Sequence, residues 1–313
     1  LESVSVPRGV GYSPRMEDAA WTVLGRGLRG ETSALDPSIT TWTVENAREL
    51  MRRIEDQPPG SPGHFMPRLA VQFNGAERGV ILLLAELLYL RNAPLADMKS
   101  ATKVSRVREV LGWAQQPTDL PAALIAALDD ADAFAGGQGY HSQAPFHMLW
   151  LARFVEHWLQ TPEAVRTEAL RDPFVFRDVA AETPDDKSTI RYVLEYLVWP
   201  GIFPPVVSGR HRRRIHAVLM PDLGEPSGSD DRSVTLDLVA LREFQRRQVK
   251  GDARPRHWYE SPWVERWRGG ETPPKAWIVR PGEGGTALVD QWTAEGFVSL
   301  SARMLGTVDP GSP

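Results

Sequence analysis

The run GVILLLAELLYL, residues 79–90, limits what this chain can fold into more than any other stretch. Its apolar residues occupy nearly every side of a helix that turns about 100° per residue, so almost no face is left for water. The run is 12 residues long, whereas a bilayer-spanning helix needs roughly 20. A core helix surrounded by other helices is therefore expected. Glu86 sits inside it, and a buried carboxylate is either paired or protonated. An arginine from elsewhere in the bundle, Arg106 or Arg153, is the expected partner.

Helical periodicity continues on both sides of this run. Residues 16–30 place Trp21, Leu24 and Leu28 on one face. Thr43 reads as an N-cap, with Glu45 in the first turn and Val44, Ala47, Leu50, Met51 and Ile54 as an apolar stripe. Further helices are expected over 65–73, 100–114, 121–133, 146–159, 162–170, 189–199 and 234–249. GGQGYHSQAP is expected to be a loop, GEPSGSDDRS an acidic turn, and the Pro-, Trp- and Arg-rich stretch from Ala253 to Pro274 a linker packed on a surface. After Pro274 the period changes. KAWIVRPG and GFVSLSARML alternate like strands around a short helical TALVDQWTAEG. The expected class is mainly α. A multi-helix, bundle-like domain over 15–268 precedes a linker and a short mixed α/β tail over 269–313. The tail reads as a truncated second domain or as an edge added to the helical one.

Composition removes several classes of function. The chain has 313 residues and no cysteine, which excludes disulfides, thiolate metal sites and a cysteine nucleophile. The opening LESVSVPRGVGYSP has no apolar signal-peptide segment, and a cytoplasmic setting is expected. The formal net charge is −4, so bulk electrostatics do not draw the chain to DNA or to an anionic membrane. Any affinity for nucleic acid must come from a local patch.

Such a patch exists. Arg210, Arg212, Arg213 and Arg214 open a helix in which Ile215, Val218 and Leu219 point inward. Arg242, Arg246, Arg247, Lys250, Arg254 and Arg256 follow. Residues 205–257 hold 11 Lys and Arg against 7 Asp and Glu, so the excess positive charge is local. Arginine forks match phosphate oxygens. Arg210, Arg212, Arg213, Arg214, Arg246 and Arg247 are the candidate nucleic-acid contacts. The alternative is a solvated or partner-facing surface whose arginines pair with acidic side chains.

Other chemistry finds less support. Tyr140, His141 and Ser142 adjoin in sequence, but a triad is made by the fold and not by adjacency. Asp185, Asp186 and Lys187 lack the separate acidic strand of a nuclease site, and Ser188 is expected to cap the helix that follows. His147 and His157, ten residues apart, do not share a helical face, and no metal site is expected.

Four stretches together carry a family resemblance: LRGETSALDPSITTWTVENARELMRRI, VILLLAELLYL followed by KVSRVREVLGWA, VLEYLVWPGIFPPVVSGRHRRRIHAVL, and WYESPWVERW. Their order resembles the helical region that precedes the motor in McrB-like AAA+ ATPases, the NTPase subunits of modification-dependent restriction systems. The resemblance spans roughly residues 20–268 and rests on patterned positions. It implies a non-catalytic targeting region in antiviral defence, with DNA, modified or not, or a restriction-complex subunit as partner. The tail from Lys275 resembles the opening of an EVE/YTH-like module, with Trp277 and Trp292 in the place of base-stacking rings. No G-x-x-x-x-G-K-[ST] occurs in the chain. ATP or GTP with Mg is accordingly implied only for a motor outside this sequence, and no cofactor within it. The alternative is a protein–protein scaffold that binds no nucleic acid.

Overall fold

The computed structural model describes residues 8–9, 11–56, 64–129, 133–185, 187–248 and 257–269. Two compact units divide the chain, residues 1–267 and 268–313. The described residues are mainly helical, with 14 α-helices, one 3-10 turn and no strand longer than an isolated bridge. The alternating segments after Pro274, with Trp277 and Trp292, lie outside the described residues.

The all-round apolar run is the central helix. It lies in α4 (Arg78–Asn92), where every residue from Val80 to Asn92 is buried. Around it pack α1 (Pro14–Leu28), α2 (Val44–Glu55), α5 (Ser100–Leu111) and α8 (Ala144–Gln160). Thr43 caps α2 as expected, its hydroxyl accepting from the Asn46 N–H at 3.1 Å. Glu86 has no arginine partner among the described residues. Its two oxygens accept from Ser33 Oγ and Thr41 Oγ1, each at 2.6 Å, and burial raises its pKa. Arg153 instead binds Glu55 and Asp185 on the surface, and Arg106 leans on Met98 Sδ. The carboxyl therefore ties the 29–43 connection to the core helix.

A buried helix end must dispose of its carbonyls and its negative dipole. At the end of α4, Lys103 Nζ donates to the Ala93 carbonyl at 2.9 Å, and Arg91 lies in the last turn. Two buried cations thus stand at this helix end.

Four further helices complete the bundle before Pro200: α6 (Ala122–Ala126), α9 (Glu163–Ala169), α10 (Pro173–Ala181) and α11 (Ser188–Val198), together with the short α3 (Phe65–Gln72) and α7 (Gly137–Ser142). α6 is much shorter than the periodicity over 121–133 predicts. α7 replaces the expected Gly-rich loop. Its first amides, Gly136 N and Gly137 N, donate to Asp97 at 3.1 and 2.7 Å, a cap supplied from 40 residues away in the second case. At α11 the N-cap position is Lys187, and Ser188 is the first helical residue rather than the cap.

A second, smaller core follows. Val206, Ile215, Leu219, Val234, Leu238, Leu241, Trp258 and Trp267 form it. They come from α12 (Gly209–Leu219), α13 (Asp231–Gln248) and α14 (Trp263–Arg268) with the turns beside them. The tryptophans of the expected linker thus staple a short helix onto α12 and α13.

Candidate nucleic-acid interface

Ser208 caps α12, accepting from His211 N at 3.3 Å. From that start the helix sorts its arginines by angle. Arg212, Ile215 and Leu219 stand at i, i+3 and i+7 and are all buried. Arg210, Arg213 and Arg214 fall within an arc of about 100° on the opposite side, and all three are exposed.

Arg212 is therefore not a surface contact, contrary to the sequence-based expectation. It is 1% exposed. Its guanidinium lies 3.9 Å from the centre of the Tyr192 ring, and its Nη2 donates to Thr235 Oγ1 at 2.8 Å. Burial lowers its pKa. Arg242 also turns inward, its Nη1 donating to the carbonyls of Pro200 and Phe203, each at 3.0 Å. Arg246 and Arg247 are exposed but share one carboxylate, Glu243, at 2.9 and 3.1 Å. Trp277 and Trp292 lie outside the described residues.

The structure thus brings three of the six candidate arginines to one face. Arg214 Nε donates to the Trp267 carbonyl at 3.1 Å, which fixes its stem on α14. Arg213 makes no ion pair among the described residues. The arrangement is costly for the helix. Cations in the first turns oppose the macrodipole at about 0.3–1 kcal/mol each. Like charges at i,i+3 and i,i+4, here Arg210 with Arg213 and with Arg214, add a few tenths more.

Behind the helix, on the side of the buried Arg212, residues of α10 to α13 build a largely buried charge cluster that the sequence reading missed. Asp231, the first residue of α13, accepts from Arg177 Nη2 at 2.5 Å and Arg191 Nη2 at 2.9 Å, and also from the Tyr192 hydroxyl. Arg191 Nη1 donates to Glu195 at 2.7 Å. Glu195 is fully buried, and burial raises its pKa against the pull of Arg191 and Arg212. The doublet Asp230–Asp231 was the available signal. Asp230 caps α13 through the amides of Arg232 and Ser233, which leaves Asp231 to face the bundle.

The catalytic alternatives do not assemble among the described residues, which leave out Asp186. Ser142 Oγ donates to the Gly139 carbonyl of its own helix, while His141 Nε2 meets Asp97 Oδ2 at 3.2 Å. The Tyr140 hydroxyl donates to the Arg91 carbonyl in the core. Asp185 pairs with Arg153, and the Lys187 ammonium stands 5.2 Å over the Phe146 ring. His147 is buried against Tyr140, and burial, reinforced by Arg91, lowers its pKa to about 2. Among the described residues no group of three or more metal-ligating side chains converges, and no helix is long and apolar enough to cross a membrane. No protein-family model, curated protein or solved structure matches the chain.

Proposed function

We propose that this chain is a non-catalytic helical targeting module that contacts DNA through the exposed face of α12. The reading is that of the accessory region preceding the motor of a McrB-like AAA+ NTPase in DNA restriction and antiviral defence. ATP or GTP with Mg would then belong to the motor. The observation that carries the DNA contact is the Arg210–Arg213–Arg214 arc. It is a cationic cluster at the positive end of a helix, and its Arg213 makes no ion pair among the described residues. Anionic phosphate would complement both the side chains and the dipole.

A second reading is favoured by the Glu243 pairing of Arg246 and Arg247. These arginines already accept a carboxylate, and an acidic protein surface could meet the α12 face in the same way. Salt dependence separates the two. Three phosphate contacts on duplex DNA give a slope of log K against log salt of about −2.7. Binding to DNA with a slope near that value supports the first reading. Absence of binding at low salt overturns it and leaves the protein scaffold.

A further inference from the structure

The first core includes Phe203 and Val207 and the second includes Val206, so the two cores meet along segment 203–207, which carries Pro204 and Pro205. Helix-on-helix packing is extensive within the bundle and between α12 and α13. The join between these two cores is different in kind. It is made largely by long polar side chains reaching across. Arg177 and Arg191 of the bundle meet Asp231 of α13, and Arg212 of α12 lies over Tyr192 of α11. Arg242 of α13 grips the Pro200 and Phe203 carbonyls, and His257 Nε2 meets the Ala133 carbonyl at 2.6 Å. Val239 is the apolar side chain of α13 that packs on the first core.

A hydrophobic join would be insensitive to ionic strength. One built on ion pairs is not, and polar joins inside a chain are those that permit relative motion. Asp231 is the focus of this one. It receives three donors from α10 and α11, and it is partly open to solvent, its side chain 37% exposed. Salt and competing anions can therefore reach it, whereas Glu195 behind it is sealed.

We propose that α12, α13 and α14 form a dockable lobe, latched to the bundle by Asp231 and hinged at the segment 200–208 that leads into α12. The lobe keeps its own core when it moves, because Trp258 and Trp267 pack on Ile215, Leu219, Leu238 and Leu241 rather than on the bundle. Release frees one guanidinium nitrogen of each of Arg177 and Arg191, which keep Asp178 and Glu195 as their partners in the bundle. Docking of the lobe does not depend on what α12 binds.

The absence of cysteine makes the test direct. Val165→Cys on α9 and Leu223→Cys beyond α12 replace exposed side chains and can carry a spin-label pair on the full chain. Electron–electron distance distributions are then measured at low salt, at about 1 M NaCl, where the Debye length is about 3 Å, and in Asp231→Asn. The expected result is one narrow distance at low salt. A second, longer population should appear in Asp231→Asn and grow with NaCl in the parent, with helical circular dichroism unchanged. An unchanged distribution across the salt series overturns the latch, and that arm needs no variant to fold. Loss of helicity in step with the new distances would also overturn it, since the lobe would be melting rather than moving.

Discussion

Arg212 and Tyr192 face each other at 3.9 Å, guanidinium over ring, in the join between α12 and α11. The contact places one arginine of a four-arginine segment in the interior and leaves its neighbours outside. It predicts opposite outcomes for adjacent substitutions. Arg212→Ala leaves Glu195 with one fewer buried counter-charge, and removing one member of a buried charged set costs about 3–5 kcal/mol. Arg212→Met, which keeps the volume, should cost clearly less. Arg213→Ala should stay within about 0.5 kcal/mol of the parent or stabilise slightly. Urea unfolding checks all three. Equal costs at positions 212 and 213 would contradict the assignment.

His147 predicts a pH effect. Its folded pKa, about 2, lies below the ordinary 6.5 because burial disfavours the imidazolium. Unfolding then takes up a proton below pH 6.5, so this group's contribution is complete above that pH. It is lost as pH falls towards 2, at about 1.4 kcal/mol per unit. His147→Phe removes the proton uptake. The stability difference between parent and variant, followed from pH 7 to pH 4, should move in favour of the variant as pH falls. A constant difference would show that the imidazole titrates normally in the fold.

Glu86 acts in the opposite direction. Its pKa is raised by burial, although the Ser33 and Thr41 hydroxyls partly support the charge. Its stabilising share is therefore full below pH 4.5 and declines as pH rises through the folded value. Ser33→Ala deprives one carboxyl oxygen of its donor and should cost about 1–3 kcal/mol. In Glu86→Gln the decline above pH 4.5 should disappear. Thermal unfolding across pH 4 to 8 reads both effects.

The helical class was legible because the dominant signal was local. A run apolar on all sides had to be central, and Thr43 announced α2. The α10 helix was equally announced, by Asp172 accepting from Phe174 N with Pro173 at the first position, yet the periodicity reading passed over it. The 137–142 segment could not be read in this way. Its cap comes from Asp97, which only the tertiary fold brings near. The same division holds at the basic face. Arg212 was recoverable from its i, i+3, i+7 spacing with Ile215 and Leu219. The inward turn of Arg242 needed the Pro200 and Phe203 carbonyls, and the Glu86 partners needed the path of the 29–43 connection. Charge density alone located the patch. Angular position around the helix decided which of its members could touch a ligand.

The measurement that bears most directly on the α12 face is fluorescence anisotropy with labelled duplex and single-stranded DNA, methylated and unmethylated, at two salt concentrations. The parent chain is compared with a variant carrying Arg210→Ser, Arg213→Ser and Arg214→Ser, shown by urea unfolding to be at least as stable as the parent. The account predicts salt-sensitive binding by the parent and its loss in the variant. Binding that survives the three substitutions, or no binding by the parent at low salt, would contradict it.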